Sequence, residues 1–513
     1  MKQNNTTIQV PSTAVKKIIF FLLFPLVSIC SIAQVEQFAQ TITPDDLKNH
    51  LFKIASREMQ GRETATEGQR LAATYIEEQF KKDSLTPGWN GSYQQPFPVY
   101  KDSLIKAVLV INGKNLKHDT DFTATLNSGF NISMESDEIF FAGFGQSDSA
   151  FDDYSNTNVK GKIVMIWPGT RTTISGGKKV TSAAPDYYIL QKSAKKNGAA
   201  ALLIVQPSFI RGALPNRDRM YVKDYREDSI PDTFIISDST ARLIVGKDFE
   251  SVRKSIKTDA PAGKSYASRI KLEHEKVMQQ LQSSNVIGML QGTDKKDEAV
   301  IITAHYDHLG KKDTTIYFGA DDDGSGTVAV LEIAQAYKLA AAAGVRPRRT
   351  IIFMTVSGEE KGLWGSDYYS GHPAFSLDKT SADINIDMIG RIEKGRKGDS
   401  LDYIYVVGDN RLSSDLRPVS ENLNNKHFKF KFDYKYNDPN DPERIFYRSD
   451  HYNFAKKGVP AIFYFSGLHD DYHRPTDTPD KIRYELLSRR AQMIFYTTWE
   501  IANRQEMLKR DLE

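Results

Sequence analysis

Apolar residues recur along this chain with more than one period. Between about 43 and 82, Leu47, Leu51, Ile54, Leu71, Tyr75 and Phe80 fall at near-helical spacings and predict helix. The stretch 138–205 has another texture: strand Ile139–Phe144, a turn, strand Lys162–Trp167, helix Tyr187–Lys196 and strand Ala199–Val205. From about 285 onward, short continuous apolar runs are bounded by Gly, Asp or Pro. They are Val286–Leu290, Ala299–Ala304, Thr350–Val356, Ile384–Met388, Tyr403–Val407 and Ala461–Phe465. Helical stretches lie among them, notably Thr327–Ala343 and one from Tyr484 to about Lys509. Strands that are apolar on both faces and alternate with helices imply a sheet covered by helices on both sides. The expected fold class is therefore α/β, with a second, β-rich domain inserted between the N-terminal helices and the main sheet. The expected bounds are 34–119 and 271–513 for the main domain and 120–270 for the insertion.

The first residues break this pattern. Lys16 and Lys17 precede an apolar run, Ile18–Ile29, and Ser31-Ile32-Ala33 offers a small-x-small cleavage site before Gln34. That order reads as a secretory signal peptide, and the run is too short to span a hydrocarbon core of about 30 Å. The cysteine Cys30 is the one in the chain, and bulky Ile29 before it makes a poor lipidation box, so lipid anchoring ranks second. The body after residue 33 thus has no cysteine for a disulfide, a thiolate metal site or a thiol nucleophile. The formal net charge of the 513-residue chain is +3, and three lysines without an acid lie within residues 1–33. The remainder is formally neutral, which gives no reason to expect nucleic acid or an anionic membrane as partner. No later segment is apolar for long enough to cross a membrane.

Several catalytic machineries are missing. There is no G-x-S-x-G elbow and no H-E-x-x-H; His274-Glu275 is followed by Lys-Val-Met, and Gly263-Lys264-Ser265 lacks the upstream glycine of a phosphate loop. Acids and histidines instead gather at the C-terminal ends of the expected strands, where ligands bind in open α/β sheets. After Ala299–Ala304 comes His305-Tyr306-Asp307-His308, and Gly319 to Gly326 (GADDDGSG) precedes a helix. Ser357-Gly358-Glu359-Glu360 follows Thr350–Val356, Asp387 sits inside Ile384–Met388, and His469 to Pro475 (HDDYHRP) follows Ala461–Phe465. Singly, each has a plain reading: Ser325 can cap a helix, Glu-Glu can be solvated surface, a lone histidine can be packing. Asp387 is harder to dismiss, because a carboxylate in an apolar strand is costly unless paired or bound to a cation. Imidazole and carboxylate without thiolate form the donor set of a hydrolytic zinc site.

The run AHYDHLG…GADDDGSG…SGEEKGLWGS…NIDMIGR…YHRPTDT resembles the co-catalytic di-zinc peptidases. That superfamily includes bacterial secreted leucyl aminopeptidases, glutamate carboxypeptidase and the catalytically dead transferrin receptor. The resemblance implies two Zn2+ per chain. His305 and Asp387 would hold one, Glu360 and His473 the other, and Asp322 would bridge them. It implies Glu359 as general base, Asp307 as the group holding the His305 tautomer, and the Tyr472 hydroxyl as an oxyanion donor. The stretches FAGFGQSDSAFDDYSNTNVKGKIVMIWPG and LQKSAKKNGAAALLIV resemble a protease-associated domain, which carries no catalytic group. Arg448-Ser449-Asp450-His451 resembles the family's RSDH, expected either to line the substrate pocket or to support the loop of Tyr472 and His473. Asp323-Gly324 stands where many members have Asn-Ala. His308, His372 and His469 are expected to be packing or surface.

The function this implies is a secreted zinc exopeptidase acting on peptide substrates, foremost an aminopeptidase. A carboxypeptidase or dipeptidase uses the same metals with other pocket groups, and Arg444 or Arg448 could meet a C-terminal carboxylate. A glutaminyl cyclase typically keeps one zinc, and a non-catalytic receptor-like protein would have lost ligands; neither departure is found. The oligomeric state is left open.

Overall fold

The computed structural model describes residue 1 and residues 35–512, apart from 129–130, 149–150, 156–157, 176–177, 183–184, 207–217, 223–229, 257–261 and 397–401. Residues 2–34, and with them the expected leader and Cys30, lie outside the described residues.

The chain divides into two compact units, residues 98–281 and the remainder. The insertion expected over 120–270 lies within the unit of residues 98–281. Its flanks belong to two long strands, Gln94–Ile111 and Ala262–Leu290. Pro96 and Pro98 in the first of these break the sequence signal for a strand.

The first unit begins with α1 (Pro44–Ile54) and α2 (Glu67–Lys82). Thr43 caps α1 by accepting from the Asp46 amide at 3.2 Å, with Pro44 in the first turn where no amide is needed. The stretch 43–82, expected to be helical, is broken between them, where Gln60, Gly61, Arg62 and Ala65 all have positive φ.

Within residues 98–281 the chain forms β1 (Ile132–Ala142), β2 (Ile163–Ile166), α3 (Tyr187–Lys196), β3 (Ala201–Val205) and β4 (Asp232–Ile236). These strands pair in parallel in that order, and residues 262–274 of β5 (Ala262–Leu290) run antiparallel to β1. The helix Tyr187–Lys196 has the bounds its apolar spacing predicts, and Asp186 caps it.

The remainder of the chain adds β6 (Lys295–His305), α4 (Gly326–Ala342), β7 (Arg349–Val356), α5 (Trp364–Gly371), β8 (Thr380–Ile386), β9 (Tyr403–Val407), β10 (Lys431–Asp433), α6 (His451–Ala455), β11 (Ala461–Phe465) and α7 (Tyr484–Asn503). The strands lie in the order β10, β9, β11, β8, β6, β7 and then residues 286–290 of β5. The central set β11, β8, β6 and β7 is parallel, while β9 runs antiparallel to β11 and parallel to β10, and β5 runs antiparallel to β7. Alternate residues face opposite layers. Val300, Ile302 and Ala304 pack with α1, α2, α4 and α7, whereas Ile301, Ile352 and Met354 pack with Tyr369 of α5 and Phe454 of α6. Both faces are buried, which is why the strands read as unbroken apolar runs. At about 25 cal/mol per Å² of apolar area, each fully buried Ile or Val stabilises this unit by roughly 1.5–3 kcal/mol.

Candidate metal centre

The C-terminal ends of β6, β7, β8 and β11 bring the charged residues of the first unit together. His305 is the last residue of β6 and is buried. Its Nδ1 lies 3.1 Å from the Asp307 carbonyl oxygen. A carbonyl only accepts, so Nδ1 carries the proton and Nε2 presents a lone pair. That Nε2 stands 3.3 Å from Asp322 Oδ1, 3.7 Å from Asp387 Oδ1 and 3.8 Å from Glu359 Oε2. A second focus lies beside it: His473 Nε2 is 3.1 Å from Asp322 Oδ2 and 3.0 Å from Glu360 Oε2. The two oxygens of Asp322 therefore face two different histidines, as a bridging carboxylate requires.

These close approaches are not hydrogen bonds. His305 Nε2, Asp322 Oδ2 and Glu360 Oε1 are buried without a hydrogen-bond partner. Their lone pairs converge on common points rather than on one another's protons. Asp322, Glu359, Glu360 and Asp387 also form no ion pair with Lys or Arg among the described residues; only imidazoles oppose them. Buried carboxylates so placed are stable only if cations join them. Burial alone would raise the Asp322 pKa, yet His305 and His473 outweigh it and hold the carboxyl well below its usual range. Burial, with Glu360 and Asp387 adding to it against His305, holds Glu359 well above the usual range. A donor set of carboxylate oxygens and imidazole nitrogens fits zinc.

The segment carrying Asp322 is held from several sides. Asp323 accepts the amides of His305 (3.2 Å), Gly326 (2.8 Å) and Met388 (3.0 Å), so it fastens three of the converging segments. A Cβ on Gly326 would meet an Asp323 carboxylate oxygen at 2.4 Å, which leaves glycine as the residue that fits. Asp477 accepts the amides of Asp321 (3.0 Å) and Asp322 (3.3 Å). Ser325 does not cap α4 through its side chain; its hydroxyl donates to the Asp321 carbonyl and accepts the Ile389 amide. The strand β8 ends at Ile386, so Asp387 lies just beyond the strand rather than inside it, and Met388 follows at φ +54°. Ser449 donates to Asp387 Oδ2 at 2.7 Å and fixes the carboxylate, while Asp450 is buried and accepts from Ser366.

The role expected of Asp307 changes. Its carboxylate is 3.8 Å from His305 Nδ1, and its carbonyl is what reaches that nitrogen. The carboxylate instead accepts the Glu359 amide (3.2 Å) and the Thr64 hydroxyl (2.8 Å), so it positions the Glu359 backbone. Thr64 and Arg62, in the break between α1 and α2, carried no sequence signal. Arg62 is fully buried and donates to the carbonyls of Tyr306 (2.6 Å), Ile54 (3.0 Å), Phe318 (2.7 Å) and Gly319 (2.9 Å). It ties both metal-facing loops to the N-terminal segment, and burial lowers its pKa to about 10. His469, expected to be packing or surface, lies 3.4 Å from Asp321 beside the same loop.

An open pocket of about 330 Å³ adjoins the two foci. Asp322, Glu359 and Asp387 form its floor, and Met388, Ile445, Phe463, Phe465 and Leu468 supply apolar wall. Arg448 and Tyr472 also line it, and the Arg448 guanidinium donates to the Tyr472 hydroxyl at 3.1 Å. The Tyr472 ring stacks on His473 with centroids 3.9 Å apart.

Known proteins resemble this chain in both sequence and fold. Residues 285–498 match the model of peptidase family M28. Aminopeptidase YwaD of Bacillus subtilis is 26% identical over 235 residues, 44% of this chain and 46% of its own length. A probable leucine aminopeptidase of Arthroderma otae is 25% identical over 237 residues, 44% of this chain and 60% of that protein. A probable zinc metalloprotease of Leptosphaeria maculans is 35% identical over 111 residues, 21% of this chain and 24% of that protein. The matches thus span less than two thirds of each relative's own length. An aminopeptidase from Aneurinibacillus sp. strain AM-1 shares the fold with a TM-score of 0.58 at 18% identity, over 93% of this chain and 98% of that one. The zinc aminopeptidase BSAP of Bacillus subtilis does so with a TM-score of 0.52 at 20% identity, over 92% and 99%. Residues 285–498 are thus similar to peptidase family M28, and the α/β sheet flanked by helices is a fold shared with the aminopeptidase structures.

Proposed function

We propose that the protein is a zinc exopeptidase with two ions per chain that removes N-terminal residues from peptides. The observation that carries this reading is the division of Asp322 between His305 on one side and His473 on the other, at 3.3 and 3.1 Å. His305 and Asp387 would hold one ion, Glu360 and His473 the other, with Asp322 shared. Bound there, the ions would supply Lewis acidity to a scissile carbonyl and an acidified water.

The chain's own groups then have separate tasks. Glu359 faces the pocket while its neighbour Glu360 is turned toward His473, so one carboxylate moves protons and the other binds. Glu359 accepts a proton from the attacking water and delivers it to the departing amine. Tyr472, polarised by the hydrogen bond from Arg448, donates to the developing oxyanion. The apolar wall of Ile445, Phe463, Phe465 and Leu468 receives a bulky aliphatic or aromatic side chain. The leader reading makes the protein an exported one beginning at Gln34, and residues 98–281 are read as a protease-associated domain without catalytic groups.

One observation favours a second reading. Arg448 lines the same pocket and could take a C-terminal carboxylate, as a carboxypeptidase or dipeptidase would need. A panel of peptides with free and blocked ends, assayed with and without chelator, separates the two. Chelator-sensitive release from free N-termini, indifferent to amidation of the C-terminus, is the expected result. Cleavage that requires a free C-terminus would move the assignment to the second reading.

A further inference from the structure

His308 follows His305 by three positions and is fully buried. Neither of its ring nitrogens has a hydrogen-bond partner. Leaving such groups unpaired costs about 1–3 kcal/mol each, so an imidazole kept in this place calls for another kind of partner. Its Nδ1 lies 2.7 Å from Glu360 Oε1 and 3.8 Å from Asp322 Oδ2, and its ring meets that of His473 edge to face at 5.9 Å. The 2.7 Å approach to Glu360 is close enough for a hydrogen bond, but the oxygen lies off the direction of a proton on Nδ1, and the geometry therefore outweighs the distance. Donor atoms of His308, Asp322 and Glu360 all lie within 4.8 Å of one another. The loop opposite is cut to admit the ring: Gly319 has φ +54°, and a Cβ there would fall 2.4 Å from His308 Cγ.

We propose that His308 is itself a ligand, through Nδ1, of the ion held by Asp322, Glu360 and His473. That ion would then have two imidazoles, whereas the ion of His305 and Asp387 has one. The inference rests on the metallopeptidase reading above. It implies that the two ions are held unequally. His473 is the exposed member of the pair, with 36% of its side chain accessible, and sits on a loop residue at φ +56°. His308 is sealed against solvent three residues past the end of β6 and would hold the ion from its buried side.

The test is zinc content and affinity of the full-length chain, measured by competition with a chromophoric chelator, together with the visible absorption of the Co2+-loaded protein. The variants are His308→Ser, His308→Asn and His473→Ala, with circular dichroism to establish folding. Wild type is expected to bind two ions of distinct affinity. His308→Ser should weaken the tighter ion by about 10-fold or more and change the Co2+ spectrum. His308→Asn, which keeps a neutral donor of similar size, should behave like His308→Ser, and it keeps the test readable if the serine variant does not fold. His473→Ala should retain two ions, weakened no further than in His308→Ser. Wild-type affinity and spectrum in His308→Ser would overturn the proposal. So would full rescue by His308→Asn, because His308 would then only hydrogen-bond Glu360. A wild-type protein that binds no zinc would instead overturn the metallopeptidase reading.

Discussion

Glu359 and Glu360 are neighbours with opposite surroundings. Glu360 is drawn toward His473 and is held below the usual carboxylate range against its burial, while Glu359 is raised and faces the pocket. The doublet itself was visible in the sequence, and its apportioning to base and ligand came with the resemblance. Under the proposed function, replacing Glu359 by Gln removes the proton acceptor and keeps the shape. Zinc content should stay at the wild-type level while kcat falls by about 10²–10⁴-fold; metal analysis beside steady-state kinetics checks both, and substantial residual turnover would remove Glu359 as the base. Asp322→Asn should lower metal content and rate together, since an amide offers one acceptor oxygen where two histidines face two. Retention of both ions at wild-type affinity would end the bridging assignment. Asp307 shows where residue-level reading reached its limit. Its type and spacing pointed to His305, but the spatial closeness of the loop after β7 decided that its carboxylate holds the Glu359 amide.

Elements were legible where periodicity was strong. Tyr403–Val407 and Ala461–Phe465 have the bounds their apolar runs imply, because a strand buried on both faces leaves no polar position to blur its ends. Ends set by tertiary contacts were not. The last helix stops at Asn503 rather than near Lys509, and β8 stops before Asp387. Helix α2 carries a conflict that its sequence does not reveal. Asp83 stands at its C-terminus, buried, and at the negative end of the helix dipole. Burial, with Glu332 adding to it against Lys338, raises its pKa to about 6. The unfolded value is about 3.9, so between these values the folded state holds more protons and stability falls as pH rises. Asp83→Asn removes this loss. It should raise the melting temperature at pH 7.5 by about 2–4 °C, corresponding to about 1 kcal/mol, and leave it unchanged at pH 4; melting curves at the two pH values measure it.

For the whole molecule, the metal centre is also an electrostatic load. Without cations, Asp322, Glu359, Glu360 and Asp387 face one another at buried strand ends. Under the proposed function, chelation should lower the melting temperature and added zinc should restore it, with a stabilisation of about 4 kcal/mol when free zinc is 1,000 times its dissociation constant. A melting temperature indifferent to chelator would mean that no ion resides there. The α/β class and the order of the charged motifs were determined by the sequence itself, because periodicity and motif spacing are local properties of the chain. The tertiary structure decided which groups share a space. It turned the two oxygens of Asp322 toward different histidines and brought Arg62 and Thr64 from the N-terminal segment onto the loops after β6. It also placed His308 against Glu360, some fifty residues away in sequence. Such meetings depend on how the sheet stacks its strand ends and on which backbone carbonyls burial leaves to be satisfied, and no local pattern encodes either.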